Sequence, residues 1–209
     1  MKPGAEPTIM VKSIVTDPEL VERRRAQVIK VATKLFASNG FHGTKVKDIA
    51  TLADVSPGLI YQYFGEKHDI LYLAIMWVVR EKLARLNEAL DAHSDPVKRF
   101  EAVVEEYIRI NDEHHHAVIL IYREIQCLPR EYITDLQELE IKTNALIGQA
   151  ITDGVAAGVF KDTSPDFIAH VIVSLAQAWP TKHWRLKTRG TLDAYIAETK
   201  GLLLDALKK

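Results

Sequence analysis

The sequence predicts an all-α protein, and three observations carry that prediction. Strand signals are nearly absent, whereas apolar residues recur at three- and four-residue spacing along most of the chain. Four dipeptides, Asp17-Pro18, Ser56-Pro57, Asp95-Pro96 and Ser164-Pro165, place a capping side chain before a proline. At the first helical position the missing proline N–H costs nothing and the fixed φ suits the helix. The helical spans are short at the front and longer behind, so about nine helices divide between a small N-terminal unit and a larger helical body.

The first helix is predicted over residues 19–39, with Val21, Val28, Ile29, Ala32, Leu35 and Phe36 on one apolar stripe. Gly40 follows Ser38-Asn39 as a left-handed stop. Thr44 is a plausible N-cap for a short helix over 46–53, and Asp54-Val55 makes a tight turn. Ser56 caps a third helix ending near Phe64, and "GEK" opens a long fourth helix to about Ala92. Three short helices with a tight turn between the second and third form a helix-turn-helix unit. Longer helices follow over about 96–112, 114–128, 130–157, 165–187 and 191–208, with breaks at Pro129, Gly158, Pro165 and Gly190. Nothing in residues 1–16 is periodic, which predicts a flexible tail. The expected organisation is therefore a flexible tail over 1–16, a helix-turn-helix domain over 17–65 and a larger all-helical body over 66–209.

The chain has 209 residues, 47% of them apolar and 26% charged, enough for a sizeable core. A lone cysteine, Cys127, excludes an internal disulfide framework and points to a reducing, cytoplasmic setting. The first twenty residues lack the apolar core of a signal peptide, and no stretch is apolar enough to predict a membrane span. Net charge is −1, but its distribution is uneven. Residues 12–68 hold 9 Lys and Arg against 6 Asp and Glu, and the remainder hold 18 against 22. A basic front on an acidic body suits a polyanionic partner for the front alone, although solvated helix faces often look the same.

The stretch "VSPGLIYQYFGEK", residues 55–67, carries the functional signal. Ile60 and Phe64 are four apart and can share a buried face, which turns Pro57, Leu59, Gln62 and part of Tyr61 and Tyr63 outward. Gly58 removes a side chain from the first turn and allows close approach to another backbone. Lys45 and Lys47 flank the start of the second helix. Lys67 opens the fourth, where the helix dipole disfavours a cation by about 0.3–1 kcal/mol. An anion bound there, such as a DNA phosphate, would reverse that preference, and Thr44 could serve the same role with its hydroxyl. Surface packing of the two tyrosines is the plainer alternative.

The segment "FASNGFHGTKVKDIATLADVSPGLIYQYFGEKHDIL" resembles the DNA-binding domain of the TetR family of bacterial transcriptional regulators. The likeness rests on the aromatic-Gly turn, Thr44, "V-x-D-I-A" from Val46, the "D-V-S-x-G" ending at Gly58, "I-Y-x-Y-F" from Ile60, and the lysine three residues on. The resemblance implies that Lys47, Pro57, Gly58, Leu59, Tyr61, Gln62 and Tyr63 face the major groove or its phosphates, and that Thr44 and Lys67 contact phosphates. Pro57 and Leu59 are apolar where base-reading polar groups would help, so direct readout would lean on Lys47, Gln62 and contact with thymine methyls. Replacing Tyr63 or Lys67 should then weaken operator binding and leave folding intact.

In the body, "NDEHHHAVILIYREIQCLPREY" holds three consecutive histidines, His114, His115 and His116. Adjacent helical residues diverge by about 100°, so the run cannot converge on one ion and no metal site is expected. Candidate cavity-lining residues are Tyr107, His115, Tyr122, Arg123 and Gln126, together with Trp179, His183 and Trp184 around Pro180, which should kink or interrupt its helix. Ordinary core packing is the alternative for the two tryptophans. "EHHHAVILIYRE" followed by the tryptophan pair is similar to a TetR subgroup that responds to CoA thioesters in steroid and fatty-acid catabolism. That likeness implies an acyl-CoA-type effector, with Lys182, Arg185 and Lys187 available for its phosphates beside a largely neutral His183. Ile168, Val171, Ile172 and Leu175, with Tyr195, Ile196 and Leu203, could build a four-helix seam across a two-fold axis, or simply pack within the chain.

Together with the resemblance, these residues imply a ligand-responsive repressor that binds double-stranded operator DNA as a homodimer and needs no cofactor, with residues 66–209 as its ligand-binding and dimerisation domain. Two rivals stand beside it: a helical protein-interaction module without DNA binding, and an enzyme acting on CoA thioesters. Against the enzyme, the sequence shows no nucleophile-base constellation, no Gly-rich phosphate loop and no spaced metal ligands.

Overall fold

The computed structural model describes residues 11–209. Ten α-helices and one 3₁₀ turn are present among the described residues. The helices are α1 (Pro18–Gly43), α2 (Val46–Leu52), α3 (Pro57–Tyr63), α4 (Lys67–Asp91), α5 (Pro96–Glu113), α6 (His115–Glu124), α7 (Arg130–Ala156), α8 (Pro165–Thr181), α9 (His183–Leu186) and α10 (Leu192–Leu207). The four predicted starts are capped as the sequence implies. Asp17 accepts from the Glu19 and Leu20 amides, Ser56 from Leu59, Asp95 from Lys98 and Ser164 from Phe167. Gly40 takes a φ of +75° inside α1, so the backbone breaks where the sequence placed a stop. Asp54 reaches a φ of +53° in the turn between α2 and α3, a conformation Asp tolerates through local hydrogen bonding.

Two element boundaries differ from expectation. The sixth helix gives way to the 3₁₀ turn at Ile125–Cys127. The span predicted over 165–187 is interrupted just after Pro180: α8 ends at Thr181, the chain turns at Lys182, and α9 follows. A proline near a C-terminus leaves one carbonyl unpaired, and with only one helical residue after it the helix has little left to lose.

The chain divides into two compact units. The first comprises the chain up to Val78 and His116–Gln137; the second comprises Val79–His115 and Glu138–Lys209. The first unit is thus larger than residues 17–65, because α4 buries Ile70, Leu71, Tyr72, Ile75 and Met76 along its first half. Tyr72 stacks on Tyr132 with ring centroids 4.2 Å apart and bonds Asp135, while Tyr132 donates to Asp69. Sequence periodicity shows that this half of α4 is buried but not that α7 supplies the cover. Residues 11–16 also depart from the expected tail. Val11 is buried, and the Ser13 hydroxyl and Ile14 amide both donate to the Gln62 carbonyl at 3.1 and 2.8 Å. The rest of the tail expectation, residues 1–10, lies outside the described residues.

The second unit packs α5, α8 and α10 with parts of α4 and α7 around Phe100, Val104, Ile108, Ile151, Ile172 and Ile196. Phe160 lies fully buried, edge-on to Phe100 at 5.3 Å. It needs Gly154 beneath it, since a Cβ there would sit 2.1 Å from the Phe160 ring. Gly154→Ala is expected to destabilise the protein by about 1–3 kcal/mol through overpacking, measured as a lower midpoint in urea with the same slope.

Candidate nucleic-acid interface

α2 and α3 are seven residues each, too short to persist on their own. Side chains from elsewhere close their open ends. Gln27 on α1 donates to the Ala53 carbonyl after α2 at 2.7 Å. Arg25 on α1 donates through Nε to the Tyr63 carbonyl at 2.9 Å and through Nη2 to the Val11 carbonyl at 2.8 Å. Its guanidinium also lies 5.7 Å from the centre of the Phe64 ring. Buried Ile49, Ala50, Ile60 and Phe64 pack these helices against Val28, Ala32 and Phe36 of α1.

This frame presents Lys45, Lys47, Pro57, Gly58, Tyr61 and Gln62 to solvent, with Leu59 half-buried. Tyr61 is 50% exposed and Tyr63 only 4%. The opposite fates of these two residues follow from helix geometry: Tyr63 lies three residues after Ile60 on the packed face, and Tyr61 lies to its side. The expectation that Tyr63 reaches DNA with its side chain is therefore corrected. Open space surrounds Gly58, where the nearest atom to an added Cβ is Ser56 Oγ at 4.0 Å.

Thr44 and Lys67 are corrected in the same way. Thr44 is 1% exposed, and its hydroxyl donates to the Gly40 carbonyl at 2.9 Å and the Leu35 carbonyl at 3.2 Å. Lys45, not Thr44, stands at the N-cap of α2 and donates its amide to Asp48 Oδ2 at 3.2 Å. The Lys67 ammonium donates to the carbonyls of Phe41 and Thr44 at 2.8 and 3.1 Å, and lies 4.2 Å from the centre of the Phe41 ring. The cation at the start of α4 thus serves the negative end of α1, which outweighs its poor position on its own helix. Arg25, Gln27 and Lys67 hold the frame; sequence periodicity marks none of the three, because each acts across helices.

The expected ligand residues fall in both compact units. Tyr122, Arg123 and Gln126 are exposed on the first unit, while Tyr107, Trp179, His183 and Trp184 belong to the second. His115 is exposed and its Nδ1 lies 3.1 Å from the Asp112 carbonyl. Trp179 is a core residue: its Nε1 donates to Asp112 Oδ1 at 2.7 Å and its ring packs on Tyr195 at 5.1 Å. His183 meets Trp179 edge-on at 5.5 Å, and Trp184 is 71% exposed. A groove of about 570 Å³ runs over α4, α5 and α10, but none of the expected residues line it. Its walls carry Arg85, Lys98, Arg109 and Lys200 with as many glutamates, so it has no net positive field for a polyphosphate. His114, Glu81 and Glu113 bring potential ligand atoms within 4.8 Å of one another. Arg85 already bonds Glu113 at 2.6 Å, with Glu81 at 3.4 Å, which closes that cluster with ion pairs.

The sequence reading missed the buried polar groups of the body. Lys82 is 5% exposed and donates to Asn111 Oδ1 at 2.8 Å. Its Nζ lies 5.4 Å from the centre of the Tyr107 ring. Burial pushes its pKa down to about 8, against a smaller opposing pull from Glu140. A lysine inside the apolar-rich stretch "WVVREKLARL" was the available signal.

Of the candidate dimer residues, Ile172, Ile196 and Leu203 are buried in the chain's own core, which excludes them from an exposed seam. Ile168, Val171, Leu175 and Tyr195 are half-buried beside it, and Phe167 on α8 and Leu202 on α10 are more than 60% exposed.

The front of the chain, residues 28–72, matches the family model of bacterial regulatory proteins of the tetR family. Residues 93–187 match the tetracyclin repressor-like C-terminal domain. The HTH-type transcriptional regulator HbdR of Aromatoleum sp. strain CIB is 38% identical over 194 residues, covering 93% of this chain and 84% of that protein. The chain belongs to the TetR family. It is thereby a helix-turn-helix transcriptional regulator, in a family whose members bind operator DNA rather than catalyse reactions. The HTH-type transcriptional repressor KstR2 of Mycobacterium tuberculosis is 25% identical over 170 residues, covering 78% of this chain and 82% of that one. A tetR-family regulatory protein from Rhodococcus RHA1 superposes with a TM-score of 0.80 at 21% identity, covering 89% and 97% of the two chains. The regulator AibR, solved with isovaleryl coenzyme A and operator DNA, superposes with a TM-score of 0.75 at 18% identity, covering 87% and 98%. These two structures establish the TetR fold. No helix among the described residues is long and apolar enough to cross a membrane.

Two measurements test this geometry. Lys67→Met keeps the aliphatic stem but removes a donor from each of two carbonyls, of which Phe41 keeps only the Thr44 amide at 3.4 Å, and is expected to lower stability by about 1–3 kcal/mol, whereas Tyr61→Ala should change it by less than about 0.5 kcal/mol. Lys82 supplies the second. With the folded pKa near 8 and the unfolded pKa near 10.5, the unfolded chain binds more protons between those values. Stability attributable to Lys82 therefore rises with pH across that window, by on the order of 3 kcal/mol. The difference in unfolding free energy between wild type and Lys82→Met, followed from pH 7 to 10.5, should change in that direction.

Proposed function

We propose that the protein is a repressor that leaves its operator when a hydrophobic effector, an acyl-CoA or related thioester, occupies its helical body. The observation that carries the DNA half is the exposed face made by Lys45, Lys47, Pro57, Gly58, Tyr61 and Gln62 on a frame whose helix ends are all tied down. Gln62 suits bidentate bonding to adenine, Lys47 suits guanine or phosphate, and Leu59 with Pro57 suits thymine methyls. Thr44, Tyr63 and Lys67 position this face from behind. The HbdR and KstR2 relatives support the regulator and repressor roles, and the AibR complex with isovaleryl coenzyme A supports a thioester effector.

Two copies joined through the half-buried and exposed apolar residues of α8 and α10 would present two reading faces to neighbouring half-sites. Helix α4 contributes residues to both compact units, which makes it the lever between effector and DNA. Coupling is reciprocal: an effector that weakens operator binding is itself bound more weakly in the presence of operator.

The test is binding to labelled DNA from the protein's own upstream region across a salt series. Affinity should fall steeply with salt. Lys47→Ala should reduce the salt slope by roughly one if it holds a phosphate, and Gln62→Ala should cost about 1–3 kcal/mol and relax sequence preference. Acyl-CoAs should release the complex at concentrations where free CoA does not. Binding indifferent to salt and sequence would overturn the reading.

A further inference from the structure

The second unit holds buried polar groups left without partners among the described residues. An ammonium carries three N–H donors, yet the described residues give Lys82 one oxygen, Asn111 Oδ1, and one ring face, Tyr107. Asn111 is itself fully buried and its Nδ2 is spent on the Tyr107 carbonyl at 2.6 Å. Among the described residues no carboxylate lies within ion-pair distance of Lys82, and Glu140, whose charge it feels, is exposed. Two positions earlier, Nε and Nη2 of Arg80 are buried without acceptors. One turn beyond Glu140 on the same face of α7, the Asn144 Oδ1 is buried and unpartnered. Lone buried cations are costly, and proteins ordinarily pair them or replace them with apolar residues.

We propose that Lys82, with Asn111 and Asn144, is a recognition subsite in the helical body for a carboxylate carried on a hydrophobic ligand. A ligand carboxylate oxygen takes the remaining N–H of Lys82 and supplies the missing counter-charge, and a ligand hydroxyl or amide can donate to Asn144. Tyr107 borders the site, its ring facing the Lys82 ammonium. The inference deepens the effector reading above by naming the polar end of the molecule. The same carboxylate could belong to a free acid or to the far end of an acyl chain held as a thioester.

Thermal unfolding separates the possibilities and does not depend on DNA, so it stands whether or not an operator is found. Octanoate, suberyl-CoA, octanoyl-CoA and octanol are added to wild type, Lys82→Met and Lys82→Arg. At a hundredfold excess over Kd a bound ligand should raise Tm by roughly 5–10 °C. The expected result is a rise in wild type with octanoate or suberyl-CoA, none with octanol, loss of the rise in Lys82→Met and its retention in Lys82→Arg. A response to octanoate identifies a free acid; a response to suberyl-CoA beyond that to octanoyl-CoA identifies a carboxyl-terminated thioester. Lys82→Met without ligand should melt at the wild-type temperature or above it. Equal shifts in wild type and Lys82→Met, no shift with either carboxylate, or a marked fall in the Tm of unliganded Lys82→Met would each overturn the proposal, the last by making Lys82 a structural cation.

Discussion

The carbonyl ends of short helices are the constraint on which the reading head depends. A seven-residue helix leaves more than half of its carbonyls without an intrahelical donor. In this chain long cationic or amide side chains supply the donors from a different element. Gln27 serves α2, Arg25 serves α3 and Lys67 serves α1. Each bond fixes a helix end relative to another helix, so the capping interactions double as tertiary ones. The hydrophobic centre around Phe36, Ile49, Ile60 and Phe64 holds the three helices together, while the polar ties set their mutual angles.

The second unit solves a different problem. Its apolar core is extensive, so stability does not require a buried lysine, and the depressed pKa of Lys82 records the cost of placing one there. The Arg85 network close by is the opposite case, with a guanidinium bonded by Glu106 and Glu113 and held ionised by them. Two cations on one helix, three residues apart, thus sit in contrasting settings: among the described residues Arg85 has a surplus of carboxylates and Lys82 has none in contact.

Most of the fold was legible in the sequence because its helix starts are marked chemically. Asp17, Ser56, Asp95 and Ser164 each cap the helix that the following proline opens, and Gly40 marks the break in α1. The exposure of Pro57, Tyr61 and Gln62 was legible too, from the spacing of Ile60 and Phe64. What failed were inferences about where long side chains reach. Lys67 looked free for an anion because its partners, Phe41 and Thr44, are more than twenty residues away, and local pattern carries no information about such contacts. Tyr63 looked exposed because residue type alone does not separate a tyrosine at the edge of a buried stripe from one outside it. Lys82 and Asn144 were missed for a related reason: a polar residue in an apolar helix shows itself only once its neighbours are known.

The strap formed by residues 11–16 separates two duties at a single position. The Gln62 carbonyl is held by two donors from Ser13 and Ile14, while its amide side chain stands in solvent. Backbone position and side-chain identity are therefore decoupled where the protein would meet a base. Tyr61 and Gln62 contribute little to packing, so a lineage carrying this head can exchange them and drift to a new operator without first acquiring spare stability. The frame that sets the backbone and the side chains that face solvent are thus separate groups of residues.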